Sequence, residues 1–341
     1  MDFNTLLNAL VEVFKRNPKQ AVNIIGAPGG GKTSLCFELA KRLGIPDDRI
    51  WVNHAPLADP VDYRGVPWVD NATRVTHWNP PMDLHRFRKG TGIGMIIHDD
   101  MAQASVPVKN VLGNLMLARR IDEVELDDNV IQIATGNRQE DRAGTTRNPS
   151  QVDNRMMHLE LDNCIDTWSA WAMQEGIDPK LIAFLRLRPN LLHNFNPNEQ
   201  RNATPRTWHM LHKSVPDSLS EDAYLAMCSG LVGDGPASEW VSARRLMTEM
   251  PNIDDILADP KNHPLPDSAK PDIVYAVCTS LAARATRDNL AAIATFVRRL
   301  PDEFTVMTMT DIVNRDKSLH HHKAFIDFAV DYQHIFGRGE E

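Results

Sequence analysis

Between Ala21 and Ser34 the chain reads AVNIIGAPGGGKTS, in which Gly26 to Thr33 has the spacing G-x-x-x-x-G-K-T. These residue types suit one task, which is to hold a run of phosphates in backbone N–H groups. Glycines let successive N–H groups turn inward around phosphate oxygens where a Cβ would stand in the way. The apolar run Val22 to Ile25 predicts a strand before the motif, and Leu35, Leu39, Ala40 and Leu43 predict a helix after it, which is the context the motif requires. The start of that helix adds the positive end of its dipole to the cradle. Lys32 then reaches the β- and γ-phosphates, and the Thr33 hydroxyl holds Mg2+. The expected nucleotide-binding residues are Gly26, Pro28, Gly29, Gly30, Gly31, Lys32, Thr33 and Ser34, with ATP and Mg2+ as cofactors.

A second set of chemical residues follows at strand ends. Met95 to Asp100, MIIHDD, predicts an apolar strand that ends in two carboxylates. In a parallel sheet the C-terminal ends of the strands face the ligand. Asp99 is therefore expected to bind Mg2+ together with Thr33, and Asp100 to orient the attacking water and accept its proton. His98, just before them, is expected to be a buried strand residue. The run Ile131 to Thr135, IQIAT, predicts a core strand leading into Gly136 and Asn137, and Asn137 is assigned to position water. From Arg138 to Arg155 the chain is polar and rich in arginine. An arginine from one subunit can meet a γ-phosphate held by the next; Arg155 is the first choice for that finger, with Arg142 and Arg147 behind it.

The elements that must position these groups follow from periodicity. Leu6, Leu7, Leu10, Val13 and Phe14 predict an amphipathic helix ended by Asn17-Pro18. A second strand is expected from Arg49 to Asn53, then an irregular loop from His54 to Gly65 that carries Asp59 and Asp62. Trp68-Val69 and Val75 to Trp78 predict a hairpin about Asp70-Asn71, followed by a short helix from Met82 to Lys89. Val108, Val111, Leu112, Leu115 and Met116 give a helix ending in Arg119-Arg120. Ile121 to Leu126 with Val130 to Thr135 predicts another hairpin, and Met156 to Leu161 a last strand. Beyond residue 165 Pro, Gly and Asn punctuate a chain that reads as almost wholly helical.

Composition bounds the function. A chain of 341 residues is long enough for two domains, and 42% hydrophobic with 24% charged residues describes an ordinary globular protein. A net charge of −8 argues against a broad nucleic-acid surface. The 4 cysteines, Cys36, Cys164, Cys228 and Cys278, form no C-x-x-C pair and suggest reduced thiols. His320-His321-His322 is expected to be a polar run, not a metal site. No signal peptide or membrane-length apolar run is apparent, so a cytoplasmic protein with no membrane partner is expected.

The order of these features resembles the MoxR branch of the AAA+ ATPases: G-A-P-G-G-G-K-T, D-P-V-D-Y-R-G, a hairpin and helix insert, I-I-H-D-D, A-T-G-N, D-N-R and later T-P-R. The match covers roughly residues 20 to 215. It implies an α/β fold: a P-loop parallel-sheet AAA+ core with an all-helical lid and a C-terminal helical extension. The corresponding division is 1–19 for an N-terminal helix, 20–165 for the core, 166–245 for the lid and 246–341 for the extension. It also implies a homo-oligomer, a hexameric ring with ATP at subunit interfaces, in which Asn137 is the sensor on the core strand and Arg155 the finger in trans. Arg206 would be a second sensor, and Thr204-Pro205-Arg206 independently reads as the N-cap and first turn of a helix. The implied activity is ATP hydrolysis that remodels a partner protein, such as one carrying a von Willebrand A domain; the D-x-S-x-S site of such a domain is absent from this chain. The chain departs from the family pattern at two places. Asp100 stands where the family has Glu, and Met101-Ala102-Gln103 where it has Ile-Asn-Arg. A carboxylate one methylene shorter favours slow hydrolysis. Alternatives from other classes are a nucleic-acid motor, a slowly hydrolysing ATP-binding switch and a small-molecule kinase.

Overall fold

The computed structural model describes residues 1–138, 141 and 150–333. The chain divides into two compact units, Met1–Asn163 with Asn196–Asn198, and Cys164–Phe195 with Glu199–Glu341. In the first unit the described elements run α1 (Phe3–Arg16), β1 (Val22–Gly26), α2 (Lys32–Arg42), β2 (Ile50–His54), α3 (Val61–Arg64), β3 (Val66–Asp70), β4 (Val75–Asn79), α4 (Met82–His85), β5 (Gly94–Asp99), α5 (Val106–Ala118), β6 (Arg120–Ile121), β7 (Val124–Glu125), β8 (Val130–Gly136), α6 (Ser150–Asp153) and β9 (Met157–Leu161).

Five of these strands form one parallel sheet in the order β2-β5-β8-β1-β9. The central strands are mostly apolar and buried because helices cover both faces of the sheet. Ile97, Met95, Ile24 and Ile133 pack with Leu6, Leu10, Leu35 and Leu39 on one face. Ile96, Val130 and Ala134 pack with Leu112, Leu115 and Met116 on the other. The switch of face between Ile96 and Ile97 is the two-residue period of a strand. At the start of α1 the Asp2 carboxylate accepts from Asn4 N at 2.9 Å and Thr5 N at 3.1 Å, capping the helix that closes the first face.

Four expectations from local pattern change. β5 ends at Asp99, and Asp100 lies outside it in a left-handed conformation with φ 53°. β8 does not pair with the preceding segment: it joins β1 and β5 in parallel, while the local hairpin is Arg120–Ile121 against Val124–Glu125. A buried, uninterrupted strand gains more from two parallel neighbours in the core than from one antiparallel neighbour at its edge. The β3–β4 hairpin pairs Asp70 with Val75, so four residues connect it, with Arg74 at φ 56°. The helix after it is a single turn, and beyond it Lys89 N bonds Glu125 O at 2.8 Å instead of continuing the helix.

The second unit is all helical among its described residues: α7 (Ile165–Gln174), α8 (Pro179–Leu187), α9 (Pro205–Ser214), α10 (Glu221–Val232), α11 (Asp234–Leu246), α12 (Ile253–Ala258), α13 (Pro271–Ala283), α14 (Leu290–Val297), α15 (Asp302–Arg315) and α16 (Lys323–Asp331). One apolar cluster reaches from Trp168 to Phe328. α13 lies at its middle, with Ile273, Val274, Val277 and Leu281 all buried. Arg186 of α8 and Asp311 of α15 form a bidentate ion pair inside this core, one arm being Nη2 to Oδ1 at 2.6 Å. The fold class expected from the sequence, an α/β parallel-sheet core followed by helices, is the one the structure has.

Candidate functional site

The site lies where β1, β8 and β5 end side by side. Gly31 has φ +91°, a conformation that a side chain would strain, and it is the N-cap of α2 with no side chain to give. The first-turn N–H groups of α2 therefore have no side-chain cap at that terminus, and a bound anion can take them. A Cβ on Gly30 would meet Asn163 Oδ1 at 2.8 Å and Ala27 O at 3.1 Å, so a side chain there would have to displace the Asn163 amide and crowd the Ala27 carbonyl. The cradle is built for something other than a side chain.

Lys32 is buried, with 7% exposure. Its amine donates to Gly26 O and Ala27 O at 3.0 Å each and to Asn137 Oδ1 at 2.8 Å. Thus the sequence-predicted lysine and the predicted sensor meet directly, although 105 positions separate them. Thr33 Oγ1 donates to Asp99 Oδ1 at 3.0 Å, and Thr135 Oγ1 donates to the same oxygen at 2.7 Å. A hydroxyl and a carboxylate are hard oxygen donors, and one or two such protein ligands with substrate phosphates is how Mg2+ is ordinarily held. Thr33 and Asp99 therefore fit that ion. Among the described residues no group of three or more His, Cys, Asp and Glu side chains could hold a metal, and His320-His321-His322 is included in that statement.

The remaining predicted residues are placed as follows. Pro28 and Gly29 lie in the loop, Gly29 at φ +70°, and Ser34 is exposed on the first turn of α2. Asp100 follows Asp99, and its backbone N donates to Thr135 Oγ1 at 3.1 Å. Arg155 sits just before β9, half-buried, its backbone N bonded to Val152 O at 3.1 Å. Met157 pairs with Val22 and Leu161 with Gly26. Arg155 is thus at the opposite end of the sheet from its own phosphate loop, separated by at least four strand rises, about 13 Å. Arg206 is exposed on the first turn of α9 in the helical unit, between the capping-box residues Thr204 and Thr207. Arg142 and Arg147 lie outside the described residues.

Three residues at the site escaped the sequence reading. Thr135 binds both Asp99 and the Asp100 backbone; its only signal was a hydroxyl near the end of a mostly apolar strand. His54 ends β2 opposite Asp99, with Nδ1 3.6 Å from Asp99 Oδ2. Asn163 comes to the loop from beyond β9 and carried no local signal. On the other sheet face, Asn53 Nδ2 donates to Tyr63 OH at 2.7 Å and lies 3.2 Å from His98 Nδ1. His98 is wholly buried, as expected, and burial lowers its pKa to about 4.

No protein-family model matches the chain, and no curated protein matches it. Among solved structures it is similar to NtrX from Brucella abortus, at 12% identity and TM-score 0.40, over 94% of this chain and 64% of that one. It therefore spans less than two thirds of that NtrX chain. It is also similar to a DNA polymerase III γ subunit-related protein from Thermotoga maritima, at 10% identity and TM-score 0.39, over 96% of this chain and 98% of that one. A third is a RuvB variant from Thermotoga maritima, at 15% identity and TM-score 0.36, over 82% of this chain and 80% of that one. At such values these likenesses add nothing to the geometry. No described helix is long and apolar enough to cross a membrane. What the geometry itself provides is a glycine cradle, a buried amine and a hydroxyl–carboxylate pair converging at the ends of three adjacent parallel strands.

Proposed function

We infer that this chain binds MgATP in the cradle and hydrolyses it as a AAA+ ATPase of the MoxR type. The observation that carries the reading is the Lys32–Asn137 contact beside the Thr33–Asp99 contact, which sets phosphate, metal and sensor groups in one corner. Mg2+ would be held by Thr33 and Asp99 and would neutralise charge on the phosphates. Lys32 bonds the β- and γ-phosphates, and Asn137 and Asp100 orient the attacking water. The position of Arg155, at the far end of the sheet from its own loop, supports a finger given to a neighbouring copy in a ring. Arg206, fixed at a rigid helix start, is the second sensor on a lid. An unmet partner surface supports action on another protein: Val66, Trp68, Val69 and Val75 are all exposed on the β3–β4 hairpin, with Trp68 stacked on His77 at 5.1 Å. A separate protein carrying a von Willebrand A domain is the partner class this reading favours. A nucleic-acid motor is disfavoured by the net charge of −8.

One observation favours a second reading, a slow switch. Asp100 lacks the methylene that Glu would supply, and a misplacement near 1 Å costs about a hundredfold in rate. Phosphate release by the full chain with MgATP, with and without DNA, tests both readings. Turnover without nucleic acid, lost in Asp100→Ala and kept or raised in Asp100→Glu, is the expected result. Unchanged turnover in Asp100→Ala removes that residue from the mechanism, and strong stimulation by DNA overturns the remodelling reading. Mass measured in solution with and without ATP tests the ring; a monomer in both cases contradicts a finger in trans.

A further inference from the structure

One side chain at the mouth of the site has no role in the mechanism above. His54 is the last residue of β2 and stands in register with Asp99 on the neighbouring strand. Its Nδ1 is 3.6 Å from Asp99 Oδ2, beyond direct hydrogen-bond range, and its side chain is 63% exposed. Asp99 uses its other oxygen, Oδ1, for Thr33 and Thr135. The ring therefore stands beside Asp99 and remains largely open to solvent. Its backbone is held, because the preceding residue, Asn53, is buried and bonded to Tyr63 and next to His98. An exposed side chain on a pinned backbone is a suitable pointer toward a bound substrate.

We propose that His54 positions the attacking water, supplying the reach that Asp100 lacks. This rests on the hydrolysis reading. The water oxygen bonds to the γ-phosphorus as the bond from that phosphorus to the β–γ bridging oxygen breaks, and the electron pair leaves on ADP. The proton released by the water passes to the Asp100 carboxylate and then to solvent. His54 keeps its own protonation state throughout; a ring nitrogen holds the water in line by one hydrogen bond. A longer acid at position 100 would hold the water unaided, so the contribution of His54 depends on the aspartate.

The test uses the full chain and four variants: His54→Ala, His54→Asn, Asp100→Glu and the His54→Ala/Asp100→Glu pair. Turnover and KM are measured by phosphate release, and nucleotide affinity by titration with a fluorescent ATP analogue and Mg2+. His54→Ala is expected to lower kcat about tenfold or more with affinity within about twofold. His54→Asn, which retains a hydrogen-bonding amide, restores part of the loss, and in the Asp100→Glu background His54→Ala costs less than about threefold. An unchanged kcat, an equal loss in both backgrounds, or a loss confined to affinity overturns the proposal. Wild-type chain that binds MgATP without turning it over overturns the hydrolysis reading and this one with it, whereas turnover indifferent to His54 overturns this one alone.

Discussion

The two units each bury a cation, and they treat it differently. In the sheet unit Lys32 gives protons to two backbone carbonyls and an amide oxygen at the rim of an uncapped helix start. In the helical unit Arg186 meets Asp311 in a two-pronged pair, with the side chains 8% and 5% exposed. Burial raises the Asp311 carboxyl above its ordinary value while the guanidinium opposes the rise, a sign that the pair is held against a desolvation cost. Carbonyl and amide oxygens like these carry no charge of their own to strand when a phosphate takes their place. A closed pair cannot open without doing so. The first arrangement is suited to binding and the second to fixing one packing of helices.

The comparison predicts opposite outcomes for removing each charge. Asp311→Ala leaves Arg186 buried alone and should lower unfolding free energy by about 3–5 kcal/mol, read from urea or thermal melts. Replacing both residues by apolar ones of similar volume should recover most of that, and an equal loss in the double variant would break the distinction. Lys32→Ala should do the reverse, with MgATP turnover down about 10²–10³-fold and the melting midpoint nearly unchanged. A large loss of stability there would mean that Lys32 is structural.

Acid should sharpen the same contrast. His98 is depressed to about 4 in the folded chain against an ordinary 6.5, so below about pH 6.5 the unfolded chain takes up a proton that the folded one refuses. Its contribution is complete above pH 6.5 and falls as pH drops toward 4. At pH 5 the loss is roughly 2 kcal/mol. His98→Gln should flatten the pH 7 to pH 5 difference in melts of the sheet unit; an undiminished difference would assign it elsewhere. The smallest effect is expected at α9, where Thr204→Ala removes the cap and should cost about 1 kcal/mol of stability. If Arg206 acts from that helix start, turnover in Thr204→Ala should fall more than stability does.

Much of the site could be read along the chain because its demands are local. Gly31 must adopt φ +91°, and Lys32 and Thr33 must follow at once on a helix, so residue type and spacing declare them. Helices such as Pro179–Leu187 and Pro205–Ser214 were bounded correctly by Pro at the first turn. Strand pairing was less legible. Val130–Gly136 looked like half of a hairpin because its nearest apolar neighbour in sequence is Ile121 to Leu126, but its partners are Val22 to Ile25 and Gly94 to His98. Local pattern records which residues are apolar, not which distant strand will lie beside them.

The sequence by itself determined the glycine-rich loop between strand and helix, the apolar faces and the helical character of the second half, since each follows from backbone sterics or from a period of burial. Only the tertiary structure decided that Thr135, His54 and Asn163 join the site, that Asp100 leaves its strand, and that Arg186 finds Asp311 125 positions away. Those outcomes depend on the register of parallel strands and the docking of helices, where contacts close loops of many residues and no short window of sequence holds both partners.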